Sequence, residues 1–130
     1  MPSRRDEAEH LAERAEEFLR TAEYQMESGF YGLAAFSLEQ SLQLFLKAKL
    51  LERGVEYPRT HSVRKLLEML SEVGGEGQRE MARGLLERYL LELGALEDAY
   101  ITSRYIAREF RKEEVERLRG VVEEVMRNVA

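Results

Sequence analysis

The chain has 130 residues, enough for one domain that buries about two-thirds of its unfolded surface without staples. A net charge of -5 excludes a protein that coats duplex DNA, though it permits a local basic patch. The absence of cysteine excludes thiol catalysis, zinc–thiolate centres and disulfide frameworks.

The start, MPSRRDEAEH, is charged and lacks the apolar stretch of a signal peptide, and no apolar run approaches a membrane span. A cytoplasmic protein without membrane contact is the expectation. Leucine outnumbers valine and isoleucine together, and no segment alternates apolar and polar residues for long enough to make a half-buried strand. The fold class predicted is therefore all-α. Arginine greatly outnumbers lysine beside abundant glutamate, which suggests a thermophile source.

Ser3 with Asp6 three residues later makes a capping box, and Ala8, Leu11, Ala15, Phe18, Ala22 and Met26 then recur at helical spacing until Ser28-Gly29. A second helix, from about Phe30 to Arg53, carries too many apolar residues for one face, so it is expected at the centre of the fold or against a second subunit. Gly54 suits the left-handed position after its end, and Pro58 breaks the chain before a third helix near Thr60. That helix carries Val63, Leu66, Leu67 and Leu70 and stops at GGEG, residues 74–77, a turn with neither the Lys-Ser/Thr ending nor the preceding strand of a phosphate loop. A fourth helix from about Gln78 carries Met81, Leu85, Leu86, Tyr89, Leu93, Leu96 and Tyr100, and a fifth carries Val115, Leu118, Val122, Val125 and Val129. Five helices with short connections predict a single domain over residues 1–130, an antiparallel up-and-down bundle.

Polar residues interrupt this pattern in three places. Gln40, Gln43 and Lys47 lie three and four apart on the second helix, forming a stripe that either faces solvent, bonds to neighbouring helices or holds a ligand. Thr60 is placed to cap the third helix, and the adjacent helix N-terminus favours a neutral His61 ring. With no paired ligand, His61 implies no metal site, and no cofactor is indicated. Tyr100, Arg104, Arg108 and Arg111 share a face if their helix runs on to about residue 111, where guanidinium groups grip phosphate in two-point fashion and a flanking ring stacks on a base. The competing reading pairs Arg108 and Arg111 with Glu109, Glu113 or Glu114 on a solvated surface.

Two stretches carry a family resemblance. Residues 29–70, GFYGLAAFSLEQSLQLFLKAKLLERGVEYPRTHSVRKLLEML, and residues 96–118, LEDAYITSRYIAREFRKEEVERL, resemble in order the two halves of the HEPN domain, the nucleotide-binding domain of higher eukaryotes and prokaryotes. The resemblance implies a HEPN-like helical bundle that commonly forms a homodimer and works beside a minimal nucleotidyltransferase, in some cases as a toxin–antitoxin pair. Other members cut RNA without metal through an arginine and a histidine with four to six residues between them. Here the positions after Arg104 hold Glu109, Phe110 and Arg111, and guanidinium cannot exchange a proton near neutral pH. One departure stands in the first stretch, where Gln43 replaces the glutamate that many members place four residues before the lysine. The expectation is a noncatalytic module that holds a nucleotide or RNA through Arg104, Tyr105 and Lys47, the alternative being a ribonuclease toxin that uses His61 with Arg104.

Overall fold

The computed structural model describes residues 3–105 and 108–130, with the backbone alone for residues 103–105. The described residues form six helices: α1 (Arg4–Glu27), α2 (Tyr31–Glu52), α3 (Val63–Val73), α4 (Glu76–Arg88), α5 (Leu90–Tyr105) and α6 (Lys112–Val129). No strand occurs among them.

The Ser3 hydroxyl accepts from the Asp6 N–H at 3.1 Å and the Asp6 carboxylate accepts from the Ser3 N–H at 3.2 Å, closing the capping box read from the sequence. The buried residues of α1 are Ala8, Ala15 and Ala22, two turns apart. Small residues at that spacing let two helix backbones approach closely. The Ser41 hydroxyl of α2 accordingly reaches the Ala15 carbonyl at 2.7 Å, and Ser37 of α2 donates to Gln25 of α1 at 2.7 Å. Gly29 at φ 79° turns the chain between the two helices, and Gly54 at φ 78° ends α2, both in the left-handed region where a β-carbon is strained.

Helix α2 is the central element. It packs against α1, α3, α5 and α6. Its buried residues include Ala34, Leu38, Leu42, Phe45, Leu46 and Leu50, drawn from all around its circumference. Most of its apolar surface is thus covered within one chain, and what remains open lies near its first turn, at Phe30 and Leu33. Helix α5 runs antiparallel to α2, bringing Tyr100 to within 6.0 Å of Phe36 between ring centroids. Helix α6 packs back along α5 and the end of α4, with Arg117 3.5 Å from Glu92 of α5 and Glu124 3.4 Å from Arg88 of α4.

Three expectations on local structure are corrected. The helix predicted from Gln78 onward is two helices, so the bundle has six rather than five. Neither proline nor glycine marks the break at Tyr89; instead the Tyr89 hydroxyl bonds to Glu124 of α6, and the break lets α4 pack on α3 while α5 packs on α2. The helix does not continue to residue 111: residues 108–111 are non-helical, Phe110 is buried, and Arg111 takes the extended conformation that begins α6. Helix α3 starts at Val63 with Ser62 as its cap, not Thr60.

Candidate functional site

The interrupted stripe on α2 is a hydrogen-bonded column built around a residue the spacing argument did not single out. Glu39 is fully buried. Its Oε1 accepts from the Gln40 amide at 2.7 Å and its Oε2 from the Gln43 amide at 2.7 Å. The Gln43 carbonyl oxygen in turn accepts from Lys47 Nζ at 2.9 Å. Gln43 is buried, while Gln40 and Lys47 are half-buried. The stripe therefore bonds along its own helix rather than across helices: Glu39, Gln43 and Lys47 follow at steps of four, which brings side chains into register, and Gln40 bonds to its neighbour Glu39.

Burial raises Glu39 from 4.5 to about 7, against the pull of both amides and of Lys47, and the neighbouring charge of Glu97 adds to the rise. Burial also lowers Lys47, with Glu39 acting to restore it. Lys47 Nζ lies 5.2 Å from the centre of the Tyr57 ring, a cation–π distance. An amide thus stands between carboxylate and ammonium, so substitution of the expected glutamate by Gln43 moves the acid one turn back along α2.

Helix α5 supplies the second carboxylate. Glu97 accepts from Arg64 Nε at 2.8 Å, Arg64 Nη2 at 3.1 Å, the Arg64 N–H at 3.2 Å and the Ser62 hydroxyl at 3.1 Å. Ser62 Oγ simultaneously accepts from the Lys65 N–H at 3.1 Å. This fixes the N-terminus of α3 against α5, since a carboxylate there satisfies a free helix donor and the helix dipole together. Thr60 Oγ1 accepts from the Ser62 N–H at 3.1 Å and shapes the turn rather than the cap. His61, an exposed residue, is held by this turn against α5, where its ring stacks on Tyr100 at 4.0 Å between centroids and 20° between planes.

Phe36, Gln40, Gln43 and Lys47 on α2 and Glu97 and Tyr100 on α5 thus form one strip, with His61 at its edge. Arg104 follows Tyr100 by one turn of α5, which on a helix puts their β-carbons about 6 Å apart. The side chains of Arg104 and Tyr105 lie outside the described residues. Arg108 is placed elsewhere: its guanidinium bonds to Glu114 of α6 at 3.0 Å and lies 3.9 Å from the centre of the Phe110 ring. Glu114 also accepts from the Arg111 N–H at 3.1 Å, which with Arg108 holds that acid below the usual range. Arg108 and Arg111 therefore organise the start of α6. Among the described residues no group of three or more acids or histidines is arranged to hold a metal ion, and no helix is long and apolar enough to cross a membrane.

The HEPN domain family model matches residues 8–130, and the chain belongs to that family. Among solved structures, the crystal structure of TT1696 from Thermus thermophilus is similar over 94% of both chains, with 26% sequence identity and a TM-score of 0.74. No curated protein matches the chain.

The signal for Glu39 was present in the sequence. A carboxylate adjacent to Gln40 and four residues before Gln43, on a helix otherwise packed with leucine, has no apolar role.

Proposed function

We propose that the protein is a noncatalytic HEPN binding module that holds a nucleotide or an RNA end through Arg104, Tyr105 and Lys47, and that it acts as a homodimer beside a minimal nucleotidyltransferase in the cytoplasm. The observation that carries the reading is the exposed His61 ring stacked on Tyr100, on the helix that bears Arg104 and beside the column that ends in Lys47. An aromatic platform next to cations is the chemistry that nucleotides select, because every base offers a π-face and every phosphate a negative charge. The homodimer is supported by the apolar side chains left open near the first turn of α2 and the last turns of α5, Phe30, Leu33 and Ile101. The nucleotidyltransferase and the toxin–antitoxin arrangement rest on family membership alone.

A second reading, a metal-independent ribonuclease that uses His61 with Arg104, is favoured by the contact between His61 and Tyr100, one turn from Arg104. Incubation with total RNA in chelator separates the two. The binding module leaves RNA intact; cleavage that His61→Ala abolishes would establish the enzyme instead.

A further inference from the structure

Glu39 and Lys47 form a linked pair whose net charge depends on one proton. With Glu39 ionised, the ammonium at Lys47 is offset by a carboxylate one amide behind it. An anion arriving at Lys47 then meets a pair with no net charge and only a weakened attraction. With Glu39 protonated, the pair carries a full positive charge.

We infer that the site binds an anion together with a proton, taken up by Glu39. The geometry supports this through the amides as well as through charge. Both amide groups now donate to the carboxylate, so protonating it creates a new O–H donor that needs an acceptor. Gln43 is buried and its carbonyl is committed to Lys47, whereas Gln40 is half-buried and free to turn over without breaking that bond. Turning Gln40 presents its carbonyl to Glu39 and points its N–H donors outward. The protonated state thus offers an anion both net charge and a released donor.

The charged groups that act on Glu39 are consistent with this. On its own helix the group is Lys47, and on α5 it is Glu97, whose charge Arg64 of α3 offsets. Among the described residues no titratable group of α1 or α6 acts on it; the contacts made there by neighbouring Ser41 are with the Ala15 carbonyl and the Met126 sulfur. His61 and Tyr100 stand at the edge of the strip, and Arg104 follows on α5. Burial holds Glu39 at about 7, so the proton is available near neutrality.

The inference rests on the anion-binding reading, and the experiment keeps the two apart. A short oligoadenylate with unphosphorylated ends carries no group that titrates between about pH 6 and pH 8. Calorimetric titration of the wild-type chain with it should show affinity roughly tenfold higher at pH 6 than at pH 8, the ratio expected when only the form protonated near pH 7 binds. Repeating the pH 8 titration in buffers of different ionisation enthalpy should show uptake of about one proton. Glu39→Gln should bind with a pH ratio below about twofold, while His61→Asn should bind more weakly at both pH values and keep the tenfold ratio. A ratio unchanged by Glu39→Gln, or lost in His61→Asn alone, overturns the inference and leaves the binding reading standing. No binding by wild type at either pH overturns both. If Glu39→Gln does not fold, the proton count on wild type decides, and a count near zero refutes the proposal.

Discussion

Replacing Glu39 by glutamine removes a carboxylic acid that α2 buries completely, and the consequence for stability has a definite pH dependence. The folded-state value lies near 7, against 4.5 for the unfolded chain. Between those values the folded protein retains a proton that the unfolded chain has released, so wild-type stability falls as pH rises through this window and levels off above about 7. A shift of this size is worth about 3 kcal/mol in all, most of which falls between pH 5 and pH 8.5. Glutamine does not titrate. It forfeits about 1 kcal/mol because one of the two amides that now donate to Glu39 must turn to accept, but that cost is the same at every pH. The variant should therefore gain most of that amount on wild type between pH 5 and pH 8.5, or roughly 9 °C in melting temperature for a chain of this length. Urea unfolding of both proteins at several pH values measures the difference directly. Parallel stability curves would show that Glu39 is not held uncharged by burial and would remove the physical basis of the column as described.

Glu97→Gln should destabilise the protein by about 2 kcal/mol, since the charge-assisted bonds to Arg64 and Ser62 become neutral ones and one oxygen is lost as an acceptor. Hydrogen exchange should quicken first in the opening turn of α3; unchanged protection there would mean that the Ser62 cap alone fixes that helix. Light scattering at micromolar concentration should report about twice the chain mass, and Leu33→Asp should halve it. A monomeric wild type would contradict the dimer and leave the apolar end of α2 unexplained.

Much of the helical architecture is legible in the sequence because its signals are local. The Ser3–Asp6 box, the Gly54 stop and the leucine density of α2 each act within a turn or two, and each appears where spacing puts it. The break at Tyr89 is not local: its partner Glu124 lies on α6, and nothing near Tyr89 in the sequence disfavours helix. The stretch after Tyr105 misleads for a related reason. Its four-residue arginine spacing fits a helix face, yet burial of Phe110 and the pairing of Arg108 with Glu114 hold residues 108–111 in a non-helical turn. Periodicity reports what a helix would present and carries no information on a competing tertiary contact. In the site, Gln40, Gln43 and Lys47 are visible as polar residues in an apolar helix and Glu39 carries the same signal, but that Glu39 is the hub depends on its full burial and on the two amides that donate to it, which spacing does not report.

The central claim is that α5 and the α2 column together hold an anionic ligand without acting on it. Calorimetric titration of wild type and Arg104→Lys with ATP and with a short oligoribonucleotide, beside a melt of each protein, tests it most directly. Wild type should give saturable heat, and Arg104→Lys should weaken binding by about an order of magnitude with little change in melting temperature, because an ammonium keeps the charge but loses the planar two-point grip. No heat with either ligand, together with a lowered melting point for the variant, would contradict the account and make Arg104 a residue of the fold.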